Sequence, residues 1–114
     1  MFPFKELIVW QRAFRLTQAV YLLTRNFPKD QRFGLVDQMQ RASVSVMSNI
    51  AEGSKRTKAE WVNFSRIALG SAAELESQLL LSQSLHFGDP EYYVEIFEEL
   101  MHISKILQSI VSKN

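Results

Sequence analysis

The chain has no cysteine. That excludes a disulfide framework, thiolate catalysis and Cys-ligated metal sites, and it fits a reducing compartment. Chain breakers are also scarce: three prolines and four glycines, the glycines scattered singly. Single glycines exclude the Gly-rich loops that cradle phosphates. Sparse breakers leave room for long helices. No apolar run approaches the ~20 residues that a membrane span needs. The opening residues, MFPFKELIVWQR, turn charged too soon for a secretory leader. The expectation is a cytoplasmic protein without membrane attachment.

Against these absences, 46% hydrophobic and 22% charged residues are ordinary globular composition, so disorder is not expected. The length of 114 residues predicts one domain spanning 1–114. Net charge is only +1, yet residues 1–66 hold eleven Lys/Arg against five Asp/Glu, and residues 67–114 two against seven. Such asymmetry points either to an anionic partner or to attraction between the halves, within the fold or across subunits.

Hydrophobic periodicity predicts four helices, over about 5–26, 30–52, 58–86 and 90–112. Leu7, Trp10, Phe14, Thr17, Tyr21 and Thr24 recur at steps of three and four and read as the core face of the first. Pro28 stops it, and Asp30 reads as the cap of the second. Its stripe is Val36, Met39, Ser43, Val46 and Ile50, with Gly53 just past its end. Thr57 and Glu60 form a T-x-x-E capping box for the third helix, which carries Trp61, Phe64, Ala68, Ala72, Leu75 and Leu79. Asp89 followed by Pro90 opens the fourth, with Tyr93, Ile96, Leu100, Ile103, Leu107 and Ile110. The three connections are short, which predicts an all-α, up-down-up-down antiparallel four-helix bundle. Helix 1 has a second apolar row, Val9, Leu16 and Leu23, and helix 4 adds Val94, Phe97 and Met101. Helices apolar on two faces predict a homo-oligomer.

Catalytic chemistry finds no constellation. A di-iron bundle needs two Glu-x-x-His spacings, and the chain has one, Glu99 to His102. Two histidines and dispersed serines build no triad. No enzyme activity, metal or cofactor is expected. Small residues on helix 2 (Ala42, Ser43, Ser45, Ser48) and helix 3 (Ala68, Gly70, Ser71, Ala72, Ala73) suggest close approach of the two. Antiparallel register puts Glu74 level with Arg41 and His102, and Lys105 level with Ser71; these cations are candidate partners for Glu74 at mid-bundle. The cations fall into small clusters: Arg12 and Arg15 on helix 1; Arg25, Lys29 and Arg32 at the first turn; Lys55, Arg56 and Lys58 at the second. Trp10, Tyr21 and Trp61 lie on expected core stripes, so base stacking is not expected and any nucleic-acid contact would be to the backbone. In SNIAEGSKR (48–56), Asn49 and Glu52 are placed to bond the free N–H groups that start helix 3.

FPKDQRFGLVDQMQRASVSVMSNIAEGSKR, followed by NFSRIALGSAAELESQL, resembles the bacterial four-helix-bundle proteins of the 23S rRNA intervening-sequence type. The resemblance covers about residues 5–110. The family is also similar to the accessory variability determinant of diversity-generating retroelements. The resemblance implies a homopentameric, barrel-like assembly, an association with RNA and no enzymatic activity. In the retroelement relative the pentamer binds nucleic acid and a reverse transcriptase. The near-neutral net charge departs from that relative. Carried onto this chain, the motif positions are Asn49, Glu52, Gly53, Gly70, Ser71, Glu74 and Glu76; with Arg41 they read as structural or inter-subunit residues. The expected function is a non-enzymatic oligomeric scaffold that binds RNA or an RNA-processing protein through Arg12, Arg15, Arg25, Lys29, Arg32, Lys55, Arg56 and Lys58. The alternative is a protein-interaction scaffold with no nucleic-acid role.

Overall fold

The computed structural model describes residues 3–113. Within them lie four α-helices and no strand: α1 Ile8–Thr24, α2 Asp37–Gly53, α3 Lys58–Ser84 and α4 Pro90–Ser112. The 27 residues of α3, at about 1.5 Å each, account for the 42 Å length of the molecule. Each helix packs on the next in sequence, and α4 closes back onto α1.

The core is aliphatic. Val9, Ala13, Leu16, Val20 and Leu23 of α1 meet Met39, Val46 and Ile50 of α2, with Ala68, Leu75 and Leu79 of α3 and Ile96, Ile103 and Leu107 of α4 in the same cluster. This corrects the face of α1. The row read as secondary is buried throughout; of the expected row Thr17 and Thr24 are buried too, whereas Phe14 and Tyr21 are 41% and 45% exposed. Both rows repeat at three and four, so periodicity alone cannot rank them. The aromatic row instead packs along the outside, with Trp10 stacked on Phe14 at 5.1 Å and Phe4 edge-on to Trp10 at 5.0 Å. Trp61 and Phe64 are likewise only half-buried; Val62 and Ser65 take the interior.

The α1–α2 seam carries buried hydroxyls. Thr17 Oγ1 lies 2.8 Å from its own helix's Ala13 carbonyl oxygen and 3.1 Å from that of Ser43 on α2. Gln40 Nε2 donates to Thr24 Oγ1 at 3.3 Å. Between α2 and α3 the Ser45 and Ser71 hydroxyls bond at 2.7 Å. Here the expectation of close approach holds for Ala42, Ser43, Ala68 and Ala72, all buried. It fails for Ser48 and Ala73, which are exposed, and for Gly70, which is exposed and has nothing within 4 Å of where a Cβ would stand. The seam's essential glycine is Gly53. A Cβ there would meet Phe64 Cβ at 2.7 Å and Trp61 Cε3 at 2.9 Å. Gly53 is the last residue of α2 itself and has no positive φ; its role is space, not a left-handed stop.

The helix ends divide between expected and new. Thr57 and Glu60 form the reciprocal capping box, and Asp89 accepts from the Glu91 N–H at 3.0 Å, ahead of Pro90. Asp30, by contrast, caps nothing. It sits in a 3-10 turn, Lys29–Gln31, followed by a kinked π-type turn, Arg32–Val36, and α2 proper starts only at Asp37. Gly34, at φ −113° and ψ −105°, breaks the helical path. At the α3–α4 corner Gly88 adopts φ 75°, and a Cβ there would approach Leu23 Cδ1 at 2.8 Å. Burial pushes the Tyr93 phenol up from its ordinary pKa, with the Ser82 hydrogen bond opposing. Its hydroxyl donates to the Phe87 carbonyl at 2.7 Å and lies 2.9 Å from Ser82 Oγ, tying the start of α4 to this corner.

The two glycines predict opposite outcomes in urea unfolding. Gly53→Ala should lose about 1–3 kcal/mol through overpacking, and Gly70→Ala should gain about 0.5–1 kcal/mol, since an exposed helical glycine only costs entropy. A destabilised Gly70→Ala would return Gly70 to the helix seam.

Candidate nucleic-acid interface

The cations expected to meet phosphates have different fates. Arg12 is drawn into the fold: its Nη1 contacts Glu99 Oε1 at 3.2 Å, joining α1 to α4, with both side chains largely covered. That corrects its place in an open basic cluster, and it also engages the carboxylate of the single Glu-x-x-His spacing. His102 is exposed. No group of three or more His, Asp or Glu suited to a metal occurs among the described residues.

At the second turn Arg56 is engaged as well. Its Nη2 lies 2.8 Å from Glu52 Oε2, its Nη1 3.7 Å from Glu60 Oε2, and its guanidinium 5.5 Å from the centre of the Phe64 ring. Lys55 reaches over the Phe4 ring at 5.8 Å. Lys58 is exposed and lines a shallow groove with Ala59, Val62 and Arg66. Thus Glu52 does lock the corner between α2 and α3, but through Arg56 and not through free N–H groups. Those groups are served by the capping box. Glu60 Oε1 accepts from Thr57 N at 3.2 Å and Oγ1 at 3.0 Å, and Thr57 Oγ1 accepts from Glu60 N at 3.3 Å. The backbone bond from Thr57, then its hydroxyl, then the charge of Arg56 hold the Glu60 carboxyl below its ordinary pKa. Asn49 turns back into its own helix, donating to Ser45 O at 2.8 Å and Ser45 Oγ at 3.1 Å, which places it beside the Ser45–Ser71 bond.

Arg41 pairs with Asp37 at 3.1 Å, one helical turn away, and not with Glu74. Glu74 and Glu76 are exposed, so neither needs a buried partner. Arg15 is exposed on α1.

The first turn is different. Arg25, Lys29 and Arg32 are all exposed, and none has an ion-pair partner among the described residues. The 3-10 and π-type turns hold the last two on one short segment. Beside them stands Phe33, 90% exposed, with the Arg32 guanidinium 5.6 Å from its ring centre. Phe33 is not one of the three rings weighed above for base stacking, Trp10, Tyr21 and Trp61. The signal was present: Phe33-Gly34 lies outside any apolar stripe and directly follows a cation.

Four helices packed in the cyclic order α1, α2, α3, α4 define an all-α helical-bundle protein. No helix among the described residues is long and apolar enough to cross a membrane. The model of the 23S rRNA-intervening sequence protein family matches residues 5–109, and the chain belongs to that family. Among solved structures it is similar to a protein of unknown function from the S23 ribosomal protein family of Bacteroides thetaiotaomicron, with 27% identity, 91% of each chain covered and a TM-score of 0.80. No curated protein matches it in sequence.

The Glu60 shift has a testable sign. Because folding lowers this carboxyl's pKa, its contribution is present above the ordinary carboxylate range and is lost as pH falls through the folded value. Urea unfolding of Glu60→Gln should therefore show a shallower loss of stability in acid than the parent chain. Thr57→Ala should lose about 1 kcal/mol at neutral pH. Parallel acid profiles for parent and Glu60→Gln would contradict the box geometry.

Proposed function

We propose that this protein is a non-enzymatic, cytoplasmic scaffold that binds RNA, or a protein that travels with RNA, through its first-turn cations. The observation that carries this reading is the set of first-turn cations Arg25, Lys29 and Arg32, exposed and without ion-pair partners among the described residues, with an exposed Phe33 beside Arg32. Phosphate contacts add through counterion release, and an exposed ring beside a guanidinium suits an unpaired base. Membership of the 23S rRNA-intervening sequence protein family supports the choice of RNA.

The bundle in this proposal runs up-down-up-down. Its support is the order of contacts. Moving up α1 from Thr17 to Thr24, the α2 partners fall from Ser43 to Gln40. Moving up α2 from Ser45 to Gly53, the α3 neighbours fall from Ser71 to Phe64 and Trp61. The proposed assembly is a homopentameric ring, which would repeat the cationic corner five times.

A specific observation also favours the alternative, a protein-interaction scaffold. Among the described residues eleven large hydrophobic side chains are exposed, Val94, Met101 and Leu81 among them. Titration of a structured RNA with unpaired loops, at about 50 mM and about 200 mM salt, separates the two. The scaffold for RNA predicts binding that weakens steeply with salt. Lys29→Glu with Arg32→Glu should abolish most of it and flatten the slope by about 1–2 in log–log terms. Absence of binding at the lower salt would leave the protein-interaction reading.

A further inference from the structure

His86, just past the end of α3, adopts φ 60°, and among the described residues no other non-glycine residue has a positive φ. This left-handed region favours glycine, because a Cβ there crowds the following carbonyl oxygen. The surrounding bonds form a complete helix stop: the Phe87 N–H donates to the Ser82 carbonyl and the His86 N–H to the Gln83 carbonyl, both at 3.0 Å. Glycine, and after it asparagine, is the usual residue at such a stop. The His86 imidazole is exposed, and among the described residues it has no hydrogen-bond or ion-pair partner. The negative end of the α3 dipole favours a cation here, so a purely structural role is the alternative to a binding one.

The third turn, residues 85–89, packs on the first. The Phe87 ring lies 5.4 Å from that of Phe27, and at Gly88 a Cβ would meet Leu23 Cδ1 at 2.8 Å and Phe27 Cε1 at 2.9 Å. Leu23 and Phe27 bracket Arg25, and Lys29 follows closely. The two turns therefore close one end of the bundle together. His86 is held on both sides: behind it by the bonds of the helix stop, and in front by Phe87, whose carbonyl accepts from the Tyr93 hydroxyl at 2.7 Å. Its imidazole is thus a fixed group on the end that also carries Arg25, Lys29, Arg32 and the exposed Phe33. Asp30, Asp89 and Glu91 are exposed on the same turns and at the start of α4. They partly offset the cations, which leaves contacts between rings and bases to add affinity.

We infer that His86 is a nucleotide-contacting residue, and that the RNA taken by this end is an unpaired strand running from the first turn to the third. A duplex buries the faces of its bases, whereas an unpaired strand offers them to phenyl and imidazole rings alike. Lysine and arginine hold the backbone of such a strand, and rings stack on its bases, each without regard to sequence. A side chain kept in left-handed backbone at a cost in stability is intelligible where it meets a ligand. The inference rests on the RNA reading proposed above; it names the form of RNA and the second turn that meets it.

Two substitutions test it by moving stability and binding in opposite directions. His86→Gly relaxes the backbone and removes the ring; His86→Tyr keeps a ring and the strain. Urea unfolding should show a higher midpoint for His86→Gly, and one at or below the parent's for His86→Tyr. Fluorescence anisotropy then follows a short single-stranded oligoribonucleotide of mixed sequence at about 50 mM salt. His86→Gly should bind it about five-fold or more weaker than the parent, the cost of one lost base contact, and His86→Tyr within about two-fold of the parent. The same strand annealed to its complement should bind the parent and His86→Gly alike. A His86→Gly chain that binds the single strand as the parent does, while Lys29→Glu with Arg32→Glu weakens it, overturns the inference and leaves the RNA reading standing. Equal losses on strand and duplex overturn the unpaired strand, and a His86→Tyr chain as weak as His86→Gly overturns the ring contact. A His86→Gly chain less stable than the parent assigns the imidazole to the helix end instead. Failure of the parent to bind either RNA at the same salt removes the inference and the RNA reading together.

Discussion

The rest of the structure depends on how closely α2 and α3 approach. Ala42, Ser43, Ala68 and Ala72 keep the seam thin, and Gly53 leaves no atom where Phe64 and Trp61 press in. Dispersion rewards such contact and punishes a gap or an extra methyl group. The Ser45–Ser71 bond, with Asn49 behind it, spends polar groups only where they are satisfied. Because the two helices meet at Gly53, the link between them is short. Arg56 then reaches Glu52 before the link and Glu60 after it.

That arrangement sorts the cations. Arg56 is fixed by the corner, and Arg12 is fixed by Glu99 where α1 meets α4. The opposite end of α2 has no comparable lock. There the chain passes through 3-10 and π-type turns, and Arg25, Lys29, Arg32 and Phe33 remain turned outward. A single exposed apolar side chain is ordinary; what sets Phe33 apart is the Arg32 guanidinium over its ring. That pair is intelligible as a surface that something else covers.

Helix number and the caps at Thr57 and Asp89 were legible in the sequence, because caps depend on residues three apart or fewer. The inward face of α1 was not. Two rows with equal periodicity compete there, and only packing in the folded bundle ranks them, with Leu16 and Val20 fully buried and Tyr21 45% exposed. The start of α2 was misread because Asp30 looks like a cap while Gly34 decides the path. Glu74 had candidate partners in Arg41, His102 and Lys105 only if it pointed inward, and its position on the outside of α3 removes the need for one. The cationic clusters were visible as composition, but only side-chain geometry separates Arg12 and Arg56, already engaged, from Arg25, Lys29 and Arg32.

Native-state hydrogen exchange tests the central claim most directly, because it ranks segments by the free energy needed to open them. The α2–α3 seam should be the last to open: amides of residues 42–50 and 65–75 should exchange only through global unfolding, while those of residues 29–36 exchange through local opening. Amides of the seam exchanging before those at the centres of α1 and α4 would contradict the account.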